Sequence, residues 1–201
     1  VDIAQSGVTL TSASDATVSV SENHNIFSGS DIQQAIDISA DNVTIEGLTL
    51  EGNDASINGI ADKGTDGTLN STISSNTLQN FTGSYGIDVL AEDDPDTGNS
   101  QSLTVSDNDL DSHDADGIRV DVNGFDNGET DTVAVENNEL NLASNNDGVI
   151  LRGTGGGGDD AGITVTSNTI EGSSQTGTGI DVAANGQIGS DIDISDGSIN
   201  N

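Results

Sequence analysis

The stretch Leu103-Thr104-Val105-Ser106-Asp107-Asn108-Asp109-Leu110, followed a few residues on by Gly117-Ile118-Arg119-Val120, decides the fold, because its parts recur along the chain at one spacing. The apolar-polar-apolar triplet Leu103-Thr104-Val105 reads as a short strand with two side chains inward. Matching triplets are Val43-Thr44-Ile45, Ser71-Thr72-Ile73, Val133-Ala134-Val135 and Ile163-Thr164-Val165, with Ile192-Asp193-Ile194 as a sixth. Their final residues lie 28, 32, 30, 30 and 29 positions apart. The second strand has its own series, Gly59-Ile60, Gly86-Ile87-Asp88-Val89, Gly117-Ile118-Arg119-Val120, Gly148-Val149-Ile150-Leu151 and Gly179-Ile180-Asp181-Val182, stepping by 27, 31, 31 and 31. Its leading glycine predicts either a bend with positive φ or close stacking of backbone. Ala35-Ile36-Asp37-Ile38 is an earlier member without the glycine.

Three residues after each triplet comes an asparagine, Asn76, Asn108, Asn138 or Asn168, and two further on Leu78, Leu110, Leu140 or Ile170. An asparagine at one point of every coil predicts a ladder of amides at the strand spacing of about 4.8 Å. Buried, such a column is tolerable only if every member is paired. Leu48 and Gly197 take its place in the first and sixth members. Repeats of about 30 residues with short strands, inward Val, Ile and Leu and no helical period predict an all-β parallel solenoid of about six coils. One domain is expected over residues 1–201, with residues 1–34 a less regular first coil.

At these columns the chain resembles the right-handed parallel β-helix superfamily that includes pectate lyases, polygalacturonases, tailspikes and periplasmic accessory β-helix proteins. The resemblance covers roughly residues 35–199 and rests on the asparagine column and the Gly-Ile-x-Val strands. It implies the fold and leaves activity open, since one fold hosts many functions.

Composition narrows the classes. The 201 residues include 35 acidic and 3 basic side chains, a formal charge of -32, which excludes a nucleic-acid binder held by phosphate contacts. No apolar run is long enough to predict membrane insertion. With no cysteine there is no disulfide framework, thiolate metal site or thiol nucleophile. A surface this acidic repels itself at ordinary ionic strength and is screened to about 3 Å in 1 M salt, so adaptation to high salt is the expected meaning of the charge.

The candidates for chemistry are few. A lyase of this fold needs a basic residue beside calcium-binding carboxylates, and Arg119 is the one placed for it; column counting sets it beside Asp88, where an ion pair is the plainer reading. His113, among Asp114 and Asp116, is a candidate general base or metal contact. Polygalacturonase-type motifs are absent apart from Gly158-Asp159-Asp160. The acidic loop residues Asp93, Asp94, Asp96, Asp159 and Asp160 are oxygen ligands of the kind calcium takes, with diffuse counter-ion association as the alternative. Asn42, Asn70 and Asn80 each begin a glycosylation triplet. The outward threonines Thr44, Thr72, Thr104 and Thr164 are explained by β-propensity.

The expected function is therefore a non-catalytic extracellular structural module, a filament, adhesin or spike component on the cell or virion surface of a salt-adapted microbe or its virus. No cofactor is called for beyond calcium or another cation. The alternatives are a carbohydrate-active lyase or hydrolase and a calcium-dependent module binding surface glycans. Val1-Asp2-Ile3-Ala4 matches Ile180-Asp181-Val182-Ala183, the strand that should follow Ile192–Ile199, so the chain is expected either to be an excerpt of a longer β-helix or to self-associate head to tail.

Overall fold

The computed structural model describes residues 1–12, 17–19, 34–52, 57–62, 70–92, 102–113, 115–123, 132–143, 146–153, 162–172, 177–184, 192–195 and 197–200. They form a parallel β-solenoid of three sheets with seven strands each. The first sheet stacks Asp2–Ile3, Gln34–Ile38, Asn58–Asp62, Tyr85–Glu92, Asp116–Asn123, Val149–Gly153 and Ile180–Ala184. The second stacks Thr9–Thr11, Thr44–Glu46, Asn70–Ser74, Ser102–Ser106, Thr132–Glu136, Gly162–Thr166 and Ile192–Ser195. The third stacks Thr17–Ser19, Thr49–Glu51, Thr77–Gln79, Asp109–His113, Glu139–Leu142, Thr169–Gly172 and Ser198–Asn200.

The stack is thus seven strands deep in each sheet, where the repeat predicts about six coils. The additional rung comes from Asp2–Ile3, Thr9–Thr11 and Thr17–Ser19, which pair in register with Asp37–Ile38, Thr44–Glu46 and Thr49–Glu51. This is the less regular first coil expected over residues 1–34, whose opening strand matches Ile180-Asp181-Val182-Ala183. Among the described residues there is no helix.

The registers follow the sequence columns. Ile60, Ile87, Ile118, Val149 and Ile180 are successive partners in the first sheet. Ile45, Ile73, Val105, Val135 and Val165 do the same in the second. All of these are buried except Ile180, which is partly buried against the core. Period-two alternation puts one side of each strand inward, and stacking identical rungs makes the inward side a continuous apolar column. At the last rung the inward-facing Ile194 and Ile199 are 48% and 52% exposed, since no described strand covers them.

The glycine column works by stacking. Among the described glycines only Gly7 and Gly47 have positive φ, so Gly59, Gly117, Gly148 and Gly179 are not bend residues. A Cβ on Gly117 would strike the carbonyl of Gly148 on the next rung and the side chain of Leu140, and one on Gly148 would strike the carbonyl of Gly179 and Ile170. The first sheet meets the third so closely here that only a hydrogen fits.

Candidate functional site

Asn76, Asn108, Asn138 and Asn168 lie at the corner between the second and third sheets and are all nearly completely buried. The amide nitrogen of each donates to the amide oxygen of the next: Asn76 to Asn108 at 3.0 Å, Asn108 to Asn138 at 3.0 Å, and Asn138 to Asn168 at 2.9 Å. The second amide hydrogen goes back one rung, to the carbonyls of Ile45, Ile73, Val105 and Val135. Each amide oxygen also accepts the backbone N–H of the column residue on the rung before, beginning with Leu48 N–H to Asn76 Oδ1 at 3.1 Å. Both donors of Asn108 and Asn138 are thereby engaged and each oxygen takes two hydrogens, the condition under which a buried amide column stabilises.

The residue before each column position turns the chain. Gly47, Ser75, Asp107, Asn137 and Ser167 have φ of 67°, 56°, 55°, 55° and 56°. This left-handed column went unread in the sequence. Its signal is the run of Gly, Ser, Asp and Asn, which includes the types that visit this region at least cost.

Arg119 lies where column counting puts it, opposite Asp88 in the first sheet. Its Nε donates to Asp88 Oδ1 at 2.9 Å, its Nη2 lies 2.7 Å from the same oxygen, and Nε is 3.3 Å from Asp121 Oδ2. The guanidinium carbon sits 4.2 Å from the centre of the Tyr85 ring. Asp88 is only 1% exposed although it points outward, and Asn58, also buried, donates to its other oxygen at 3.4 Å. Burial alone would lower the Arg119 pKa, but Asp88, then Asp121 and Tyr85, turn the net shift upward, so the guanidinium holds its charge. Outward Ala61 and Ile150 in the same column are buried too, so this strip of the sheet is covered. The cluster is an enclosed ion pair, more costly to break than the surface pair that strand spacing alone suggests.

A second interrung column stands at the entry to the first sheet. Asn58 Oδ1 accepts the N–H groups of Ser84 and Tyr85 at 3.0 and 2.9 Å. Two and three rungs beyond Asn58, Asp116 Oδ1 accepts Asp147 N–H at 2.8 Å and Asp147 Oδ1 accepts Thr178 N–H at 2.6 Å. Sequence reading missed this set as well; its signal is the oxygen-bearing residue immediately before Gly59, Gly117, Gly148 and Gly179.

The remaining candidates form no site among the described residues. His113 ends a strand of the third sheet, paired with Leu142 after a shift in register. Asp93, Asp94, Asp96, Asp159 and Asp160 lie outside the described residues, as does Asp114. Among the described residues no three of His, Asp and Glu converge as metal ligands. Asn42 and Asn80 both have φ of 56°, and Asn80 Nδ2 donates to Glu51 at 2.7 Å. Asn70 Oδ1 accepts from Ser102 N–H at 3.0 Å. A comparison with known protein-family models, curated proteins and solved structures finds no match to the chain.

Proposed function

We propose that this chain is a rigid, non-catalytic structural module of an extracellular surface assembly, a filament, adhesin or spike component, in a salt-adapted microbe or its virus. The observation that carries the reading is the unbroken interrung bonding of the Asn76–Asn168 column, a device that stiffens a stack and engages both donors of the Asn76, Asn108 and Asn138 amides. The excess of 35 acidic over 3 basic side chains supports the high-salt setting. In a longer assembly the inward-facing Ile194 and Ile199 are the surface on which a further rung would pack. Membership of the pectate-lyase-like superfamily is part of the proposal and brings no activity with it.

The competing lyase reading needs Arg119 as a base, and Arg119 is held by two carboxylates and a ring. The test is incubation of the chain in molar salt, with and without calcium, with a panel of neutral and uronate polysaccharides. No release of reducing ends or unsaturated uronates is expected. Turnover that disappears in Arg119→Met would overturn the structural reading.

A further inference from the structure

We infer that the Asp116–Asp147 column is a charge-tuned joint in the stack, a place where proton or salt concentration sets how firmly successive rungs are held. The register aligns Gln34, Asn58, Tyr85, Asp116, Asp147 and Thr178 in one column at the entry to the first sheet. At three of these positions a side-chain oxygen holds the backbone N–H of the following rung. Asn58 does this with a neutral amide at 2.9 Å, so the bond itself requires no charge. Asp116 and Asp147 do the same with carboxylates one rung apart, which adds like-charge repulsion across the joint they close.

Among the described residues the charged groups that face Asp116 are Asp147 and Arg152, and its partner on the preceding rung is Tyr85. Burial, the largest influence, and Asp147 push the Asp116 carboxyl above the ordinary aspartate range; the bond from Asp147 N–H and the charge of Arg152 oppose them without prevailing. Because the folded state favours the protonated form, ionisation of Asp116 works against folding, and its protonation or the screening of Asp147 relieves the joint. In dilute neutral buffer this corner is strained by its own charge; in mild acid or molar salt it closes.

The experiment uses the full chain and the near-isosteric variants Asp116→Asn and Asp147→Asn. Carboxyl NMR titration of Asp116 should give a lower midpoint in Asp147→Asn than in the unsubstituted chain. At neutral pH and the lowest salt that keeps the chain folded, Asp116→Asn should melt higher than the unsubstituted chain, with the difference shrinking in molar salt. Asp116→Leu, which removes the acceptor, should melt below Asp116→Asn at every pH. An Asp116 midpoint unmoved by Asp147→Asn, or an Asp116→Asn variant that melts lower at neutral pH and low salt, would overturn the proposal.

Discussion

Asn108 and Asn138 are joined twice through one oxygen: Asn138 Oδ1 accepts both the side-chain amide and the backbone N–H of Asn108, each at 3.0 Å. The pairing couples a backbone corner to the side chain of the next rung. Neither group can be removed without orphaning donors that water cannot reach.

Asn108→Ala should therefore be among the most destabilising single changes, costing about 3 kcal/mol or more, since several buried groups lose partners at about 1–3 kcal/mol each. Asn168→Ala should cost less, because the next position is Gly197, which offers no side-chain partner. Denaturation midpoints in molar salt would check the order. Equal losses at the two sites would mean that the ladder bonds are not coupled as described.

Gly117→Ala and Gly47→Ala separate two reasons for glycine. At Gly117 the added methyl meets the Gly148 carbonyl and Leu140, and overpacking of this kind costs about 1–3 kcal/mol or more. At Gly47 nothing lies within 4 Å, and the only penalty is its φ of 67°, about 1–2 kcal/mol. Thermal melting should show the larger loss at Gly117, and its loss should grow with Gly117→Val.

Ser71 sits in the inward column in register with Leu103, 1% exposed, with a hydroxyl that finds no hydrogen-bond partner. Ser71→Val replaces a stranded polar group with one matching Val43 and Val133 in that column, and should stabilise by about 1 kcal/mol. A lower melting temperature would place the hydroxyl in a bond the structure does not contain.

These cases mark how far the sequence could be read. The inward columns, the asparagine ladder and the Asp88–Arg119 pairing were legible because a solenoid repeats its environment, so one residue type recurs at one interval. The Asp116–Asp147 column was not, because several residue types can supply a single oxygen and the position reads as varied: Asn58, Tyr85, Asp116, Asp147, Thr178. The enclosure of Asp88 was hidden for a different reason. Column counting gives direction, outward, but not what lies over the sheet.

Removing one partner of the Arg119 pair should cost about 3–5 kcal/mol, because Arg119→Ala leaves the carboxylate of Asp88 buried beside an empty space. The double variant Arg119→Met with Asp88→Asn should recover much of that loss. If the single change costs no more than a surface pair, under about 1 kcal/mol, the site is more hydrated than its exposure implies.

Mild acid should stabilise this protein, the reverse of ordinary acid denaturation. Asp109 is raised by burial, then by Glu139 and Asp111, as Asp116 is raised by burial and Asp147. Between the ordinary aspartate value and the raised one, the folded state holds protons the unfolded chain has released, so stability rises as pH falls through the raised values and levels off below the ordinary one. Melting temperatures from pH 7 toward pH 4, at the lowest fixed salt that keeps the chain folded at pH 7, should climb. A steady fall over that range would contradict the assignment.

Salt dependence of the fold tests the central claim, a solenoid whose acidic shell is tuned to a salt-rich exterior, most directly. With 35 carboxylates against 3 cationic side chains, repulsion is screened within about 3 Å at 1 M salt and reaches about 8 Å at 0.15 M. Far-ultraviolet circular dichroism and thermal melting of the chain at pH 7 should show a cooperative β-structure in molar sodium chloride that weakens and is lost on dialysis to millimolar salt. A spectrum and melting temperature unchanged between those two conditions would contradict the account.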